Sequence, residues 1–200
     1  TQGQIGYMIE SSLDSELMEM GIHTEQQLVS LLSYVVVDAE DPAFKKPSKP
    51  IGPVYDAARA AKLPYPTVET SKGHRRIVAS PRPISIVEKR EIRKLIELGF
   101  IVICCGGGGI PVARDGRAFS GVNAVIDKDL SSAKLAEEVG VDIFLIATDV
   151  PGVALSYGTP NRKFLRTLAA EDAAQYESDG QFPPGSMGPK VEAAVQFIRS

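Results

Sequence analysis

Lys128 is one of two lysines in this sequence whose surroundings suit chemistry on a phosphate group. It stands between Asp127 and Asp129, directly after the apolar pair 125–126. Its ammonium is a compact charge with three donors, and about 4 Å from a phosphate oxygen it would contribute on the order of 4 kcal/mol at an effective dielectric of ~20. The alternative is an exposed, salt-bridged helix start that contributes little.

Lys190 is the second such lysine and follows the segment Gly-Ser-Met-Gly-Pro at residues 185–189. Pro189 suits the first turn of a helix, which would place Lys190 near the helix N-terminus. The helix dipole there favours an anion and disfavours a lone cation. This placement therefore favours a bound phosphate beside Lys190.

An apolar run over residues 100–105 leads into four consecutive glycines, 106–109. Glycines let backbone N–H groups approach an anion closely, and ligands bind at the carboxyl ends of strands in open α/β sheets. A tight turn with close packing explains the run equally well. Because Ile110 and Pro111 follow, the run matches neither a Walker P-loop nor a dinucleotide fingerprint.

A third candidate segment is Thr148-Asp149-Val150, which follows the apolar run 142–147 and precedes Tyr157. A nucleotide base could lie against Tyr157, or the segment could be an ordinary tight turn. Ser186 lacks the surroundings of a hydrolase nucleophile. His23 and His74 have no cysteine or carboxylate partners at ligand spacing, so no transition-metal site is predicted.

The composition excludes several classes of protein. The 200 residues are 44% hydrophobic and 24% charged with a net charge of −3, which indicates one buried domain and no nucleic-acid partner. No run is long enough to cross a membrane, and no signal peptide is recognised. The only cysteines, Cys104 and Cys105, are neighbours that we expect on opposite faces of a strand. A reducing, cytoplasmic setting is expected.

The positioning elements alternate as in an α/β protein. Apolar spacing predicts helices over residues 3–20, 57–62, 84–98, 130–136, 169–177 and 189–199. Strands are predicted over residues 31–37, 75–80, 100–105 and 142–147, with a hairpin turn at 115–116. The strand–helix–strand order favours parallel pairing. Four prolines within residues 38–53 exclude a helix and a central strand there and predict an extended arm or insertion.

Taken together, these pieces resemble carbamate kinases of the amino acid kinase family. The matching segments follow one another along nearly the whole chain, at residues 1–7, 37–44, 48–53, 106–112, 121–130, 148–150 and 185–194. The segment 38–80 is similar to the protruding subdomain that distinguishes carbamate kinases within the family. The resemblance implies a three-layer αβα sandwich with a mainly parallel central sheet, in which residues 1–200 form one domain and residues 38–80 the protruding arm.

The resemblance also implies an activity, which is reversible phosphoryl transfer between ADP and carbamoyl phosphate, giving ATP and carbamate with Mg²⁺. Such an enzyme belongs to arginine metabolism and forms a homodimer. By motif, Lys128 and Lys190 would hold the phosphoryl group, Asp129 would orient both lysines, and Lys49 on the arm would close over the site. The other roles implied are carbamate binding by Gly107, Gly108 and Gly109, and nucleotide binding by Thr148, Asp149, Val150, Tyr157, Met187 and Gly188.

The chain departs from the family pattern at several places. The family's opening strand with its Gly-Gly-Asn turn and its closing strands have no counterpart, so we expect this sequence to be part of a longer protein. Pro151 replaces an acidic residue of the nucleotide loop, the cysteines 104–105 replace small apolar residues, and residues 72–74 also differ. Two alternatives stay open: another amino acid kinase acting on a carboxylate, and an inactive nucleotide-binding homologue.

Overall fold

Over residues 2–22 and 25–200, which the computed structural model describes, the chain forms six α-helices and eleven short strands. The helices are α1 (Gln2–Glu19), α2 (Ala57–Ala60), α3 (Lys89–Glu97), α4 (Lys128–Val139), α5 (Ala170–Ser178) and α6 (Met187–Arg199). The strands are β1 (Leu28–Ser30), β2 (Tyr34–Val37), β3 (Lys49–Tyr55), β4 (Thr67–Thr70), β5 (Gly73–Val78), β6 (Ser85–Ile86), β7 (Ile101–Ile103), β8 (Ile110–Asp115), β9 (Ala118–Gly121), β10 (Ala154–Leu155) and β11 (Lys163–Phe164). Thr1 and His23 of the sequence analysis lie outside the described residues.

The strands form a mixed sheet and three smaller sheets. The mixed sheet has the order β6-β2-β8-β9, in which β2 and β8 are parallel and the outer strands are antiparallel. A second parallel pair joins β1 to β7. The α/β class is confirmed, and parallel pairing among the described residues is confined to these two pairs and the Ala79–Ala124 bridge.

The main core lies between the mixed sheet and helices α3 and α4. Val35 and Val37 of β2 alternate inward and pack with Ile86, Ile92 and Ile126, all of them buried. The alternation follows from the period of two along a strand, which places every second side chain on the same face. This core holds the edge of the mixed sheet and the start of α4 in place. The candidate site residues Lys128 and Asp129 lie at that helix start.

The proline-containing segment forms a separate antiparallel sheet of order β3-β5-β4. We call residues 38–80 the arm. Pro50 and Pro53 are tolerated because β3 is an edge strand, where a missing N–H need not break a ladder bond. The helix expected over 57–62 is the shorter α2, and the strand expected over 75–80 is β5, shifted by two residues.

Two predictions about single elements were wrong in detail. The strand expected over 31–37 is shorter, since only residues 34–37 form β2, which pairs with β8 and β6, and residues 31–33 connect it to β1. The helix expected over 84–98 begins at Lys89, because residues 85–86 pair with β2 instead. The helix expected over 3–20 is confirmed as α1, in which the buried positions are Gln2 and Gly6 and the apolar Ile5, Met8 and Ile9 are exposed.

The strand expected over residues 142–147 is an extended segment without a ladder partner in the part of the chain described here. Its side chains still alternate as in a strand. Phe144 and Ile146 pack against α4 and α6, while Ile143 and Leu145 are each 81% exposed. The sequence pattern thus predicted the alternation of the side chains correctly, but it was wrong about a strand paired in a sheet.

The prediction that Cys104 and Cys105 point to opposite faces was also wrong. Both contact the main core cluster, because β7 ends at Ile103 and Cys105 adopts the left-handed conformation with φ 54°. A hydrogen bond from Cys104 lowers the pKa of Cys105, against the effect of burial. The same contact, with burial, raises the pKa of Cys104.

Candidate active site

Lys128 and Lys190 meet at the carboxylate of Asp129. The Lys128 ammonium lies 3.1 Å from Asp129 Oδ2, and the Lys190 ammonium lies 3.2 Å from the same atom. Lys128 and Asp129 open helix α4, and Lys190 lies in the first turn of α6. The two helices are joined by small and apolar contacts, Leu130 and Ala133 against Ala193. This packing brings both helix starts to one place.

Asp127 extends the cluster towards the arm. Its Oδ1 accepts a 2.9 Å hydrogen bond from the Asp129 backbone N–H and caps α4. Its Oδ2 accepts a 2.8 Å hydrogen bond from the ammonium of Lys49, the first residue of β3. The helix expected from residue 130 therefore begins at Lys128 with Asp127 as its cap, and Asp129 faces the lysines.

These groups line a cavity of about 290 Å³, which we call the lysine cavity. Its charged residues are Lys49, Lys128, Lys190, Asp127 and Asp129. Three ammonium groups against two carboxylates give a net charge of +1, so the cavity attracts an anion. It matches the charge of a phosphoryl group better than that of a neutral or cationic ligand.

The protonation states follow from the same contacts. Burial lowers the pKa of Lys128, but the hydrogen bond and charge of Asp129 outweigh it, and the net pKa is raised. Burial raises the pKa of Asp127, but the Lys49 ammonium and the N–H groups of Asp129 and Leu130 bring the net pKa below its ordinary value. Lys128 is therefore cationic and Asp127 anionic at neutral pH.

The glycines of the run differ in their surroundings, because one lines the lysine cavity and two are closely packed. Gly107 lines the lysine cavity. Gly108 is needed for packing, because a Cβ there would lie 2.5 Å from the Ile126 carbonyl oxygen, and a Cβ at Gly109 would lie 2.3 Å from Val35. Ser131 of α4 also donates a 2.9 Å hydrogen bond to the Gly108 carbonyl oxygen. The turn is thereby held against the start of α4.

A second cavity, of about 250 Å³, brings together most of the predicted nucleotide residues; we call it the tyrosine cavity. Thr148, Asp149, Val150, Tyr157 and Met187 all line it. Gly188 does not, since it packs against the Pro183 carbonyl oxygen. Sequence reasoning gave no role here to Gln181, although it fixes the loop by accepting a 2.8 Å hydrogen bond from the Ser156 N–H.

A third opening, the glycine cavity of about 590 Å³, lies on the other side of the glycine turn. Gly106, Gly107 and Gly109 line it together with Gln2 and Ile5 of α1. Gly108 is not part of this wall either. Of the three glycines predicted to line a carbamate pocket, Gly107 and Gly109 line this cavity, whereas Gly108 packs against Ile126.

The three cavities adjoin in a row. Ser186 and Lys190 line both the tyrosine cavity and the lysine cavity. Gly107 lines both the lysine cavity and the glycine cavity. A group held by the lysines thus has one space on each side, one with an aromatic wall and one with bare glycine backbone. This order suits transfer of an anionic group between two ligands.

The carboxylates of the site are the side chains that could hold a metal ion. Asp127 and Asp129 are both engaged by lysines, while Asp149 contacts the Thr148 hydroxyl at 3.4 Å. Among the described residues no group of three or more histidine, cysteine or acidic side chains converges on one point. Such a site fits Mg²⁺ held mainly by substrate phosphates and water, the usual arrangement for that ion.

The comparisons of this chain with known proteins all indicate the same family. The model of the "Amino acid kinase family" matches residues 10–200. The chain is 47% identical, over its whole length, to a carbamate kinase of Pyrococcus horikoshii, of which it covers 65%. It is 48% identical to a carbamate kinase of Thermococcus kodakarensis, with 99% of this chain and 64% of the relative covered.

A solved structure agrees with these sequence matches. "Carbamate kinase from Giardia lamblia bound to AMP-PNP" superposes with a TM-score of 0.86 at 38% identity, covering 99% of this chain and 64% of that one. The chain therefore spans about 65% of the length of the curated relatives it matches. Within the described residues, no helix has the length and apolar character needed to cross a membrane.

Proposed function

Because this chain belongs to the amino acid kinase family, we propose that it acts in a carbamate kinase, which transfers a phosphoryl group between ADP and carbamoyl phosphate. The observation that carries the proposal is the row of three cavities joined through Lys190 and Gly107. The tyrosine cavity would hold the nucleotide, the lysine cavity the phosphoryl group, and the glycine cavity the carbamoyl end. The names of the matched relatives support the same substrates.

In the proposed reaction a β-phosphate oxygen of ADP attacks the phosphorus of carbamoyl phosphate. The new P–O bond gives ATP, and the bond from phosphorus to the carbamate oxygen breaks, so that its electron pair leaves with carbamate. The attacking oxygen is already an anion, so no general base is required. Phosphoryl transfer depends mainly on positioning and charge stabilisation.

The residues of the lysine cavity supply both. Lys128 and Lys190 would each donate hydrogen bonds to the oxygens of the phosphoryl group in transit, while Asp129 holds the two ammonium groups at 3.1 and 3.2 Å from one atom. The raised pKa of Lys128 keeps its proton throughout. Mg²⁺, when bound with the nucleotide, would neutralise phosphate charge, and Asp149 is the carboxylate that lines the tyrosine cavity.

Nucleotide binding is proposed for the tyrosine cavity. Tyr157 is half exposed there and offers an aromatic face for a base. Lys190 is within the same wall, so the phosphates of a nucleotide seated against Tyr157 would extend towards the lysine cavity. The Giardia lamblia carbamate kinase is described as bound to AMP-PNP, an adenine nucleotide. Assembly as a homodimer remains a prediction of the family resemblance, and a cytoplasmic setting remains a prediction from the cysteine pattern.

The test is a coupled assay of ATP formation from ADP and carbamoyl phosphate, with Mg²⁺, on the complete natural protein. We expect turnover that is saturable in both substrates. Turnover with acetyl phosphate or another acyl phosphate but not with carbamoyl phosphate would indicate a kinase for a different carboxylate. ADP binding by calorimetry without turnover of any acyl phosphate would indicate an inactive homologue.

A further inference from the structure

Asp127 is the residue through which the arm contacts the lysine cavity. One of its oxygens caps α4 through the Asp129 N–H, and the other accepts the Lys49 ammonium at 2.8 Å. Among the ion pairs of the described residues, Lys49–Asp127 is the one that joins the arm to the rest of the chain. The carboxylate thus connects the arm with the helix start that carries Asp129.

The pair is placed where it can decide the position of Lys49. The Lys49 side chain is 26% exposed and that of Asp127 is 18% exposed, so the pair lies partly screened from solvent. Lys49 begins the edge strand β3, which among the described residues pairs with β5 on one side. A lysine at the start of such a strand has many positions open to it, and the opposite charge of Asp127 selects one at the cavity.

We propose that Asp127 is a positioning residue, which holds the Lys49 ammonium over the lysine cavity and so brings the arm's charge to the phosphoryl group. This inference rests on the proposed phosphoryl transfer. Its structural alternative is that Asp127 serves as a helix cap alone. The two differ because a cap needs only an acceptor oxygen, whereas holding Lys49 needs the negative charge.

Asparagine and serine separate the two roles, since both cap helices about as well as aspartate does. Asp127→Asn and Asp127→Ser keep an acceptor for the Asp129 N–H and remove the charge that attracts Lys49. In the complete natural enzyme we expect each to lower kcat about tenfold to a hundredfold, as for a charged group displaced by about 1 Å. The KM for ADP should stay unchanged, and the midpoint of thermal unfolding should fall only by the small contribution of a partly exposed ion pair.

A double-mutant cycle with Lys49→Gln then tests whether Asp127 acts through Lys49. In the Lys49→Gln background, Asp127→Asn should cause no further loss of kcat. A full additional loss there would overturn the proposal, because Asp127 would then act on substrate or metal by itself. Wild-type kcat in both cap-preserving variants would also overturn it, leaving only the cap.

Hydrogen–deuterium exchange provides a readout that does not need turnover. Peptides covering residues 49–55 should exchange faster in Asp127→Asn than in the wild type. Glu97→Gln is the matched control, since it removes the carboxylate of the exposed Lys94–Glu97 pair on α3, outside the arm, and it should change neither exchange nor kcat. If hydrogen–deuterium exchange over residues 49–55 is the same in Asp127→Asn as in the wild type, the positioning role of Asp127 is overturned, even if the wild-type enzyme is active. Faster exchange in a protein without turnover would instead contradict the proposed function alone.

Discussion

Asp129 Oδ2 lies 3.2 Å from the ammonium of Lys190, although the two residues are 61 positions apart in the sequence. Asp129 is in the first turn of α4 and Lys190 in the first turn of α6. A cation at a helix N-terminus is disfavoured by the helix dipole, so the Asp129 carboxylate offsets a cost that Lys190 and its neighbour Lys128 would otherwise both carry. The contact joins the two lysines in one cluster with a net positive charge.

Lys190→Ala should lower ATP formation from ADP and carbamoyl phosphate about a hundredfold or more, comparable to the loss of one preorganised donor at a developing charge. Lys190 lines both the tyrosine and the lysine cavities, so the KM for ADP should rise as well. The measurement is steady-state kinetics, with Lys94→Ala as the control for loss of a surface lysine. Turnover like that of the wild type would remove Lys190 from the mechanism.

Asp129→Asn should lower kcat about tenfold or more while the affinity for anionic substrates stays the same or improves. The substitution raises the net charge of the lysine cavity from +1 to +2, which favours any anion in the ground state. It also removes the shared partner that holds both lysines, so their alignment on the transition state is lost. Separate determination of kcat and the KM for carbamoyl phosphate checks this; a rise in KM with unchanged kcat would contradict it.

Lys49→Ala should slow turnover about tenfold or more with little change in ADP affinity. Lys49 lines the lysine cavity but not the tyrosine cavity, so its charge acts on the phosphoryl group and not on the nucleotide base. Calorimetry with ADP alone and steady-state kinetics with both substrates separate the two effects. A variant that loses ADP affinity and keeps kcat would show that the arm lysine has a different role.

Much of the site was predictable because its chemistry is carried by charged residues at helix starts. The proline and glycine signals placed Lys190 in the first turn of α6, and the family resemblance gave its meeting with Lys128. The resemblance did not identify Asp127 as the partner of Lys49, since a tertiary ion pair 78 residues apart has no local signal. Likewise, the pairing of β2 with β8 depends on long-range register, which an apolar run over 31–37 cannot specify.

Alanine substitutions in the glycine turn should separate its packing from its binding role. Gly108→Ala should destabilise the fold by about 3 kcal/mol or more, because φ is +98° and the Cβ would meet the Ile126 carbonyl oxygen. Gly107→Ala should cost only about 1–2 kcal/mol for its left-handed backbone, since the nearest atom to its Cβ is Ile5 Cδ1 at 3.8 Å.

The milder effect of Gly107→Ala on stability should not protect its activity. Gly107→Ala places a methyl group beside Ile5 in the wall of the glycine cavity, so the KM for carbamoyl phosphate should rise although the protein stays folded. Urea unfolding and steady-state kinetics measure the two properties. Equal stability of Gly107→Ala and Gly108→Ala would contradict the close approach of Gly108 to Ile126.

Glu138 provides a test of the structure that is independent of catalysis. Its carboxylate accepts hydrogen bonds from the Ile86 N–H at 2.8 Å, the Ser85 hydroxyl at 2.7 Å and the Lys89 ammonium at 2.7 Å. It thereby ties the end of α4 to β6 and α3, with its side chain only 10% exposed. Glu138→Gln should lower the free energy of unfolding at pH 7 by about 1–2 kcal/mol, the usual range for hydrogen bonds to a charged group.

The effect of Glu138→Gln should depend on pH in one direction. Burial raises the pKa of Glu138, but the Ile86 N–H, Lys89 and Ser85 outweigh it and bring the net pKa below its ordinary value of 4.5. Because the folded state binds this proton less tightly than the unfolded state, the contribution of Glu138 is fully present above pH 4.5 and is lost as the pH falls through its folded pKa. Denaturant unfolding of the wild type and of Glu138→Gln, from pH 7 down to below the folded-state pKa of Glu138, should therefore show their free energies of unfolding converging. A gap that stays constant or widens on acidification would show that Glu138 does not hold α4 by its charge.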